Sequence, residues 1–360
     1  MVRWCGVWVT LGLVAGGCSA QDPYEPGTPL TPTAPGVGTS ADGDPTSGSG
    51  GGPDSEATSG ASEDPSGAVS SGGDETTGDP DATGASDTGV EDNCYSEPLD
   101  PSADVSDIVQ SYGGPGYQQA VIEAMRRRYP AGADLLEAQQ DDPYWAQFSD
   151  SNSWQGMVEW LDTLVHEQTH LFNAYHAIDV GQSASIYMRQ DLIVYLPPEQ
   201  GFARGEILAE LPAVMQQSIY ADTYLTGSQG QRGFGPLLDE TSAYVNEVPG
   251  LAVFGEYYPG FGLSLRDGAA AMLVFVEFYL RRARTQYPGF YAWAQSQPAY
   301  VEAVQLLWQR AQFFYEEVGD HHPNLGISDA EYRAEAEREE NLDELRMFTG
   351  VGLQAGPCVD

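Results

Sequence analysis

Residues 154–177 read WQGMVEWLDTLVHEQTHLFNAYHA and centre on His166-Glu167-Gln168-Thr169-His170. Side chains four apart lie one above the other on a helix face, so His166 and His170 could bind one metal ion together. Glu167 lies beside that face, where a general base can reach a water on the metal. In a chain with only five histidines, this pentapeptide arises by chance in well under ~1% of sequences. The stretch therefore predicts a helix that carries a metal site.

The flanking residues favour the same helix. Its apolar members recur at helical spacing and predict a buried stripe, formed by Met157, Leu161, Leu164, Leu171 and Tyr175. Small or polar residues share another face with the two histidines, where they could line a cleft. The alternative interpretation is two surface histidines on an ordinary amphipathic helix.

The HExxH helix resembles that of the zincin metallopeptidases. The resemblance implies a zinc-dependent hydrolase whose metal-activated water attacks a peptide bond, with Glu167 as the base and a peptide or protein as substrate. It covers the pentapeptide helix and, more loosely, a second helix around Glu240. Zincins usually carry a clear sheet before the metal helix, whereas residues 95–153 show little strand pattern.

Glu240 is the first candidate for the third zinc ligand. It lies in line with Leu237, Tyr244 and Val248 on a predicted helix, and a carboxylate in an apolar stripe is costly unless it is paired or binds a metal. Two histidines and a downstream Glu resemble the gluzincin arrangement, which leaves one position for water. Tyr244, one turn further, could donate to the oxyanion of a tetrahedral intermediate. Alternatively, Glu240 caps a helix or pairs with a cation such as Arg232.

His176 is the second candidate, because its spacing from His166 resembles the metzincin pattern with Asn173 in place of a glycine. In an unbroken helix, His176 would point roughly 80 to 120° away from the other two histidines. This alternative therefore requires a break near Asn173. Asp191 is a third option on spacing alone, and His321-His322 form either an exposed loop pair or a transition-state donor.

The N-terminus predicts export. Residues 1–17 resemble a lipoprotein signal peptide, and the Gly17-Cys18 junction resembles a lipobox, which implies a lipid on Cys18 and a location in the cell envelope, at the outer membrane or cell surface. The alternative is an ordinary signal peptide that is cut near Ala20 and leaves Cys18 a free thiol. Residues 18–93 are rich in Gly, Ser, Thr, Pro and acids and predict a disordered stalk.

The net charge and the cysteines narrow the possible partners and the domain organisation of the protein. The formal net charge is −38 and the chain contains no Lys, which argues against nucleic acid as a partner. We expect a monomer. Cys94 and Cys358 lie at the two ends of the apolar-rich region, and a disulfide between them would join both termini of one domain. Two free thiols are the alternative.

The predicted fold class is α+β and mainly helical: a zincin-like domain over residues 94–360, with a small sheet, after the stalk. Alternating residues predict one strand over 186–196. Helical patterns cover 121–128, 211–225, 237–248, 267–287, 298–318 and 328–348, the last opened by the capping box Ser328-x-x-Glu331. Arg266 and the Arg281-Arg282-Arg284 cluster are interpreted as solvated charges.

Two functions follow from the sequence. One is a surface-anchored zinc metallopeptidase with ligands His166, His170 and Glu240 and catalytic residues Glu167 and Tyr244. The other is a non-catalytic metal-binding or adhesive surface module, in which four protein ligands would enclose a structural ion.

Overall fold

The computed structural model describes residues 90–91, 94–258, 265–319 and 325–356, which are mainly helical with two small antiparallel sheets. The α+β, mainly helical fold class is confirmed at this level. The signal peptide, Cys18, residues 18–89 of the predicted stalk, His321-His322 and Cys358 lie outside the described residues, so the predictions made for them stay predictions. Across the described ranges, no helix combines the length and apolar character of a membrane span.

The helices are α1 (Ser106–Ser111), α2 (Tyr117–Arg128), α3 (Pro130–Ala138), α4 (Trp154–Val158), α5 (Leu161–Asp179), α6 (Ala213–Gln216), α7 (Ile219–Tyr224), α8 (Phe234–Ala252), α9 (Leu265–Gln286), α10 (Pro288–Gln295), α11 (Pro298–Gly319), α12 (Asp329–Ala336) and α13 (Glu339–Thr349). The strands are β1 (Val90–Glu91), β2 (Cys94–Tyr95), β3 (Ala184–Arg189) and β4 (Leu192–Leu196). β1 pairs with β2, and β3 pairs with β4. Because Cys358 is not described, its pairing with Cys94 is still a prediction.

Helix α8 lies at the centre of the core. All of its residues except Pro236 and Tyr244 are buried, and it packs against α5, α9, α11 and β3. A helix that is buried on every side must satisfy each polar side chain internally. The polar side chains of α8 are therefore held by specific partners, and several of those partners form the site.

The HExxH helix α5 packs closely on α8. A Cβ atom added to Gly250 of α8 would lie only 3.0 Å from Cγ2 of Val165, so the missing side chain lets the two helices approach. Val165 directly precedes His166 in the chain. The predicted apolar stripe is confirmed for Met157, Leu161, Leu164 and Leu171, whereas Tyr175 is 47% exposed, because it lies near the solvent-exposed end of α5.

The strand predicted over 186–196 is instead a hairpin. Ile186 of β3 faces Val194 of β4, and the chain reverses at Gln190-Asp191. Nε of Arg189 donates to Oδ1 of Asp191 at 2.7 Å across the reversal. Alternation resumes in the second strand, so a period of two residues does not reveal the turn.

Two of the predicted helices are each divided in two, whereas α2, α8, α9 and α11 confirm the other four. Residues 211–225 contain α6 and α7, because the Oγ atom of Ser218 accepts from the Ala221 N–H at 3.1 Å and begins a new helix there. Residues 328–348 contain α12 and α13. The capping box prediction is wrong: Ser328 makes no side-chain cap bond, and its N–H donates to Oδ2 of Asp267 at 3.0 Å.

Arg266, Arg282 and Arg284 of α9 pair with carboxylates, whereas Arg281 donates to the Glu340 carbonyl and to Oδ1 of Asn341. Arg266 is buried and donates through Nε to Oδ2 of Asp329 at 2.9 Å. Arg282 donates to Glu206, and Arg284 donates to Glu344. The interpretation as solvated charges is therefore wrong for the buried Arg266, whereas Arg284 stays exposed although it pairs with Glu344. The sequence does not show which acids approach these arginines.

Candidate metal centre

Helices α5 and α8 bring together the three predicted metal ligands, which we call the metal cluster: His166, His170 and Glu240. The two imidazole Nε2 atoms are 3.2 Å apart. Oε2 of Glu240 lies 3.3 Å from Nε2 of His170 and 3.9 Å from Nε2 of His166. Ligand atoms about 2.1 Å from a tetrahedral zinc are about 3.4 Å apart, so the spacing fits one ion.

The opposite nitrogen of each imidazole is hydrogen-bonded to a buried carboxylate on α8. Nδ1 of His166 lies 2.7 Å from Oε2 of Glu247, and Nδ1 of His170 lies 2.7 Å from Oδ2 of Asp239. An ionised carboxylate only accepts, so each Nδ1 donates to it, although burial raises the pKa of Glu247 well above its usual value. This leaves each Nε2 to bind a metal, and such carboxylate partners fix the tautomer and orientation of metal-binding histidines.

Three lone pairs consequently converge inside the metal cluster. With both imidazoles neutral, the two Nε2 atoms and Oε2 of Glu240 are all acceptors. Acceptors at 3.2 to 3.9 Å repel one another unless a cation or a proton lies between them. Two nitrogens and one oxygen are a donor set that suits zinc and leaves a position open.

The charges in and around the metal cluster favour a positive charge between its three acceptor atoms. Burial lowers the pKa of His166, with a further contribution from neighbouring His170. Burial also opposes protonation of His170, but the carboxylates of Asp239 and Glu240 raise the pKa of His170 well above its usual value. Burial would raise the pKa of Glu240, yet His170 and Arg204 lower it to about 2. Glu240 is therefore ionised, and a proton on His170 occupies the cluster when no metal does.

Arg204 brings a permanent positive charge close to Glu240. It is fully buried, and its Nη2 atom lies 3.9 Å from Oε1 of Glu240. Its Nε atom donates to the carbonyls of Tyr224 and Gln229 at 2.8 and 2.9 Å. Because Arg204 attracts one oxygen of Glu240, the other oxygen faces the histidines.

Glu167 is placed beside the metal cluster and is not committed elsewhere. It is partly buried, and within the described ranges it makes no hydrogen bond or ion pair. Its charge acts on His166 and on Glu247. An uncommitted carboxylate next to metal ligands suits a general base.

Tyr244 also lies against the metal cluster. Its ring meets that of His166 edge-on, with centroids 4.7 Å apart, and its hydroxyl lies 2.9 Å from the hydroxyl of Tyr224. Gly268 of α9 provides the space, since a Cβ atom there would lie 2.3 Å from the Tyr244 ring. Helix α9 thus leaves room for the Tyr244 ring against His166.

The alternative third ligands lie elsewhere. Helix α5 continues unbroken through Asn173 to Asp179, so His176 faces away and its Nε2 atom lies 2.7 Å from the Tyr195 hydroxyl. Asp191 is exposed in the hairpin turn and pairs with Arg189. Glu240 lies within ion-pair distance of Arg204, and its charge also acts on Arg232, the partner suggested from the sequence.

Sequence reasoning missed the residues behind the ligands: Asp239, Glu247, Arg204, Tyr224 and the amide of Asn173. A usable signal existed for Glu247, which follows Glu240 by seven residues and so shares its face after two turns. Asp239 directly precedes Glu240 on the same helix. Arg204 and Tyr224 carried no comparable signal, because Arg204 begins a short 3₁₀ helix and Tyr224 ends α7, and only the tertiary fold brings them to Glu240 and Tyr244.

Comparison with protein-family models, with curated proteins and with solved structures finds no match to this chain. The proposal for its function therefore rests on the geometry and chemistry of the metal cluster.

Proposed function

We propose that this chain is a zinc-dependent metallopeptidase of gluzincin-like type, with His166, His170 and Glu240 as zinc ligands. The observation that supports this most is the convergence of three acceptor atoms, on two histidines whose other nitrogens are tied to carboxylates. A structural zinc site would use four protein ligands. The metal cluster offers three among the described residues, which is the number typical of a catalytic site.

A zinc ion bound there would supply a water activated at neutral pH and would polarise the scissile carbonyl. Glu167 takes the proton from the attacking water and delivers it to the leaving amine nitrogen. Tyr244 donates its hydroxyl hydrogen to the developing oxyanion. Asp239 and Glu247 keep the two imidazoles in the orientation that points Nε2 into the cluster.

The experiment that tests this function compares Glu167→Gln with the parent chain. The amide cannot accept the proton, so hydrolysis of unfolded proteins and a broad peptide library should fall at least about 10²-fold. Zinc content should stay at the parent level, because Glu167 is not a ligand. The matched control is Glu159→Gln, which alters an exposed acid on the preceding turn and should cleave like the parent.

Two outcomes would contradict the proposal. A Glu167→Gln chain that cleaves at the parent rate excludes Glu167 as the base. A parent chain that holds zinc yet cleaves nothing in the library favours the second function, a non-catalytic metal-binding surface module.

A further inference from the structure

We propose that Asn173 is a positioning residue for the metal centre, which orients Asp239 and thereby His170 through its side-chain amide. The inference rests on the proposed metal site and adds a residue that is not itself a proposed metal ligand. It concerns the position where a metzincin would have its glycine, and it assigns that position a different role.

A continuous row of hydrogen bonds joins the hairpin to the metal cluster. The backbone N–H of Tyr187 in β3 donates to Oδ1 of Asn173 at 2.8 Å. Nδ2 of Asn173 donates to Oδ1 of Asp239 at 2.7 Å, and Oδ2 of Asp239 accepts from Nδ1 of His170 at 2.7 Å. The carboxylate of Asp239 is thus held at both oxygens.

The start of the row is itself fixed. The Tyr187 carbonyl accepts from the Ser242 hydroxyl at 3.0 Å and from Nδ2 of Asn246 at 3.3 Å, both on α8. The Tyr187 hydroxyl donates to the carbonyl of Ala131 at 2.7 Å. The backbone and the hydroxyl of Tyr187 are therefore both held in place. Because the Tyr187 N–H needs an acceptor and Asp239 needs a donor, the Asn173 amide has a single orientation.

The position requires an amide. Asn173 is fully buried, and it must accept from one neighbour and donate to the other. Asp has the same shape but no donor when ionised, and an apolar residue would leave both the Tyr187 N–H and Oδ1 of Asp239 unpaired. Asn is also a poor residue for the interior of a helix, so its place in α5 reflects its hydrogen bonds rather than helix propensity.

The test is a swap of the two side chains in the full chain. In Asn173→Asp, two carboxylates face each other, and zinc affinity should fall about 10- to 100-fold, as for other outer partners of metal-binding histidines. Asp239→Asn alone should weaken zinc similarly, because two amide donors then meet. In the double variant, the amide placed at position 239 can accept from His170 and donate to the carboxylate placed at position 173, which still accepts from Tyr187. The row is restored, and most of the affinity should return.

The matched control is Ser185→Ala. It removes the hydrogen bond from the Ser185 hydroxyl to the Asn173 carbonyl, 2.8 Å, and leaves the amide untouched. Zinc affinity is measured by competition with a chromogenic chelator, and folding by thermal unfolding of the metal-free chain. Ser185→Ala should bind zinc like the parent.

The outcomes separate this inference from the proposed function. A parent chain that binds no zinc overturns the proposed site and this inference together. If the parent binds zinc and Asn173→Asp binds it equally well, only the inference fails. A double variant that binds zinc no more tightly than the single variants also overturns the inference, because the restored row of hydrogen bonds would then not restore zinc affinity. If Asn173→Asp does not fold, the zinc affinity of Asp239→Asn is compared with that of the double variant, and the same rescue is expected.

Discussion

Two clusters of buried polar groups lie along α8, and they differ in how their hydrogen bonds are satisfied. The metal cluster brings acceptors together. The second, which we call the Arg310 network, consists of Arg310, Glu97, Asn246, Tyr129 and Tyr95 and alternates donors with acceptors. Arg310 donates to Oε1 of Glu97 at 3.0 Å, to Oδ1 of Asn246 at 2.7 Å and to the Tyr129 hydroxyl at 2.7 Å. The Tyr95 hydroxyl donates to Glu97.

The difference separates a network that is satisfied within the chain from a cluster whose acceptors need a cation or a proton between them. In the Arg310 network, the positive charge and its counter-ion both belong to the chain, and both side chains are fully buried. In the metal cluster, the protein supplies the lone pairs and the carboxylates behind them but no fixed cation between them. Burial alone therefore does not identify a metal site. A better indicator is that several buried acceptors converge without a donor between them.

Removing a ligand from the metal cluster should give the largest effect. Glu240→Gln should weaken zinc binding about 10³-fold, because a zinc affinity of about 10–16 kcal/mol is shared by only a few ligands. His176→Ala is the control, since His176 bonds to Tyr195 outside the cluster; it should bind zinc like the parent. Chelator competition measures both. The reverse order would mean that His176, not Glu240, is the third ligand.

Breaking the Arg310 network should act on folding and not on metal. Glu97→Gln keeps the shape of the side chain but leaves the buried guanidinium without its counter-ion, which should cost about 3 kcal/mol of unfolding free energy. Denaturant unfolding of the metal-free chain measures this. Zinc affinity of the folded variant should stay within about twofold of the parent, which is small beside the effect of a lost ligand. A large loss of zinc affinity would show that the two clusters are not independent.

The sequence predicted the three proposed metal ligands but not the residues that position them. His166, His170 and Glu240 were predicted because two histidines four residues apart and a carboxylate in an apolar helix stripe have a chemical meaning by themselves, and the structure brings all three together. Asp239 and Glu247 act only because α5 lies beside α8, and that contact depends on the close approach at Gly250. No local pattern contains it.

The same limit explains the misassigned elements. Residues 186–196 kept their alternation across a turn, and residues 328–348 kept a helical pattern across a break. In both places the period survived while the chain changed direction. The backbone N–H of Ser328 donates to Asp267, sixty-one residues earlier, and not to Glu331 as the capping box predicts. A tertiary contact overrides a local capping motif when it offers a stronger acceptor.

The smallest expected effect, and the one that tests the comparison most directly, is the response of the metal cluster to pH. Asp239 and Glu240 raise the pKa of His170 well above its usual value, so below that pKa a proton competes with zinc for the same space. The zinc dissociation constant should therefore rise about tenfold for each pH unit below the His170 pKa. Calorimetry in buffers of different ionisation enthalpy should show about one proton released per zinc bound.

The pH dependence of folding stability in the metal-free chain has the opposite sign to that of zinc affinity. A histidine whose pKa is raised on folding contributes stability that is fully present below its unfolded pKa and is lost as the pH rises through its folded pKa, at up to about 1.4 kcal/mol per pH unit. His170→Gln removes this contribution, so the difference in unfolding free energy between parent and variant should shrink as the pH rises. Zinc should stabilise the parent increasingly over the same range. A dissociation constant that is flat with pH would mean that no proton occupies the space between His166, His170 and Glu240, and the acceptors would then need another cation to explain their approach.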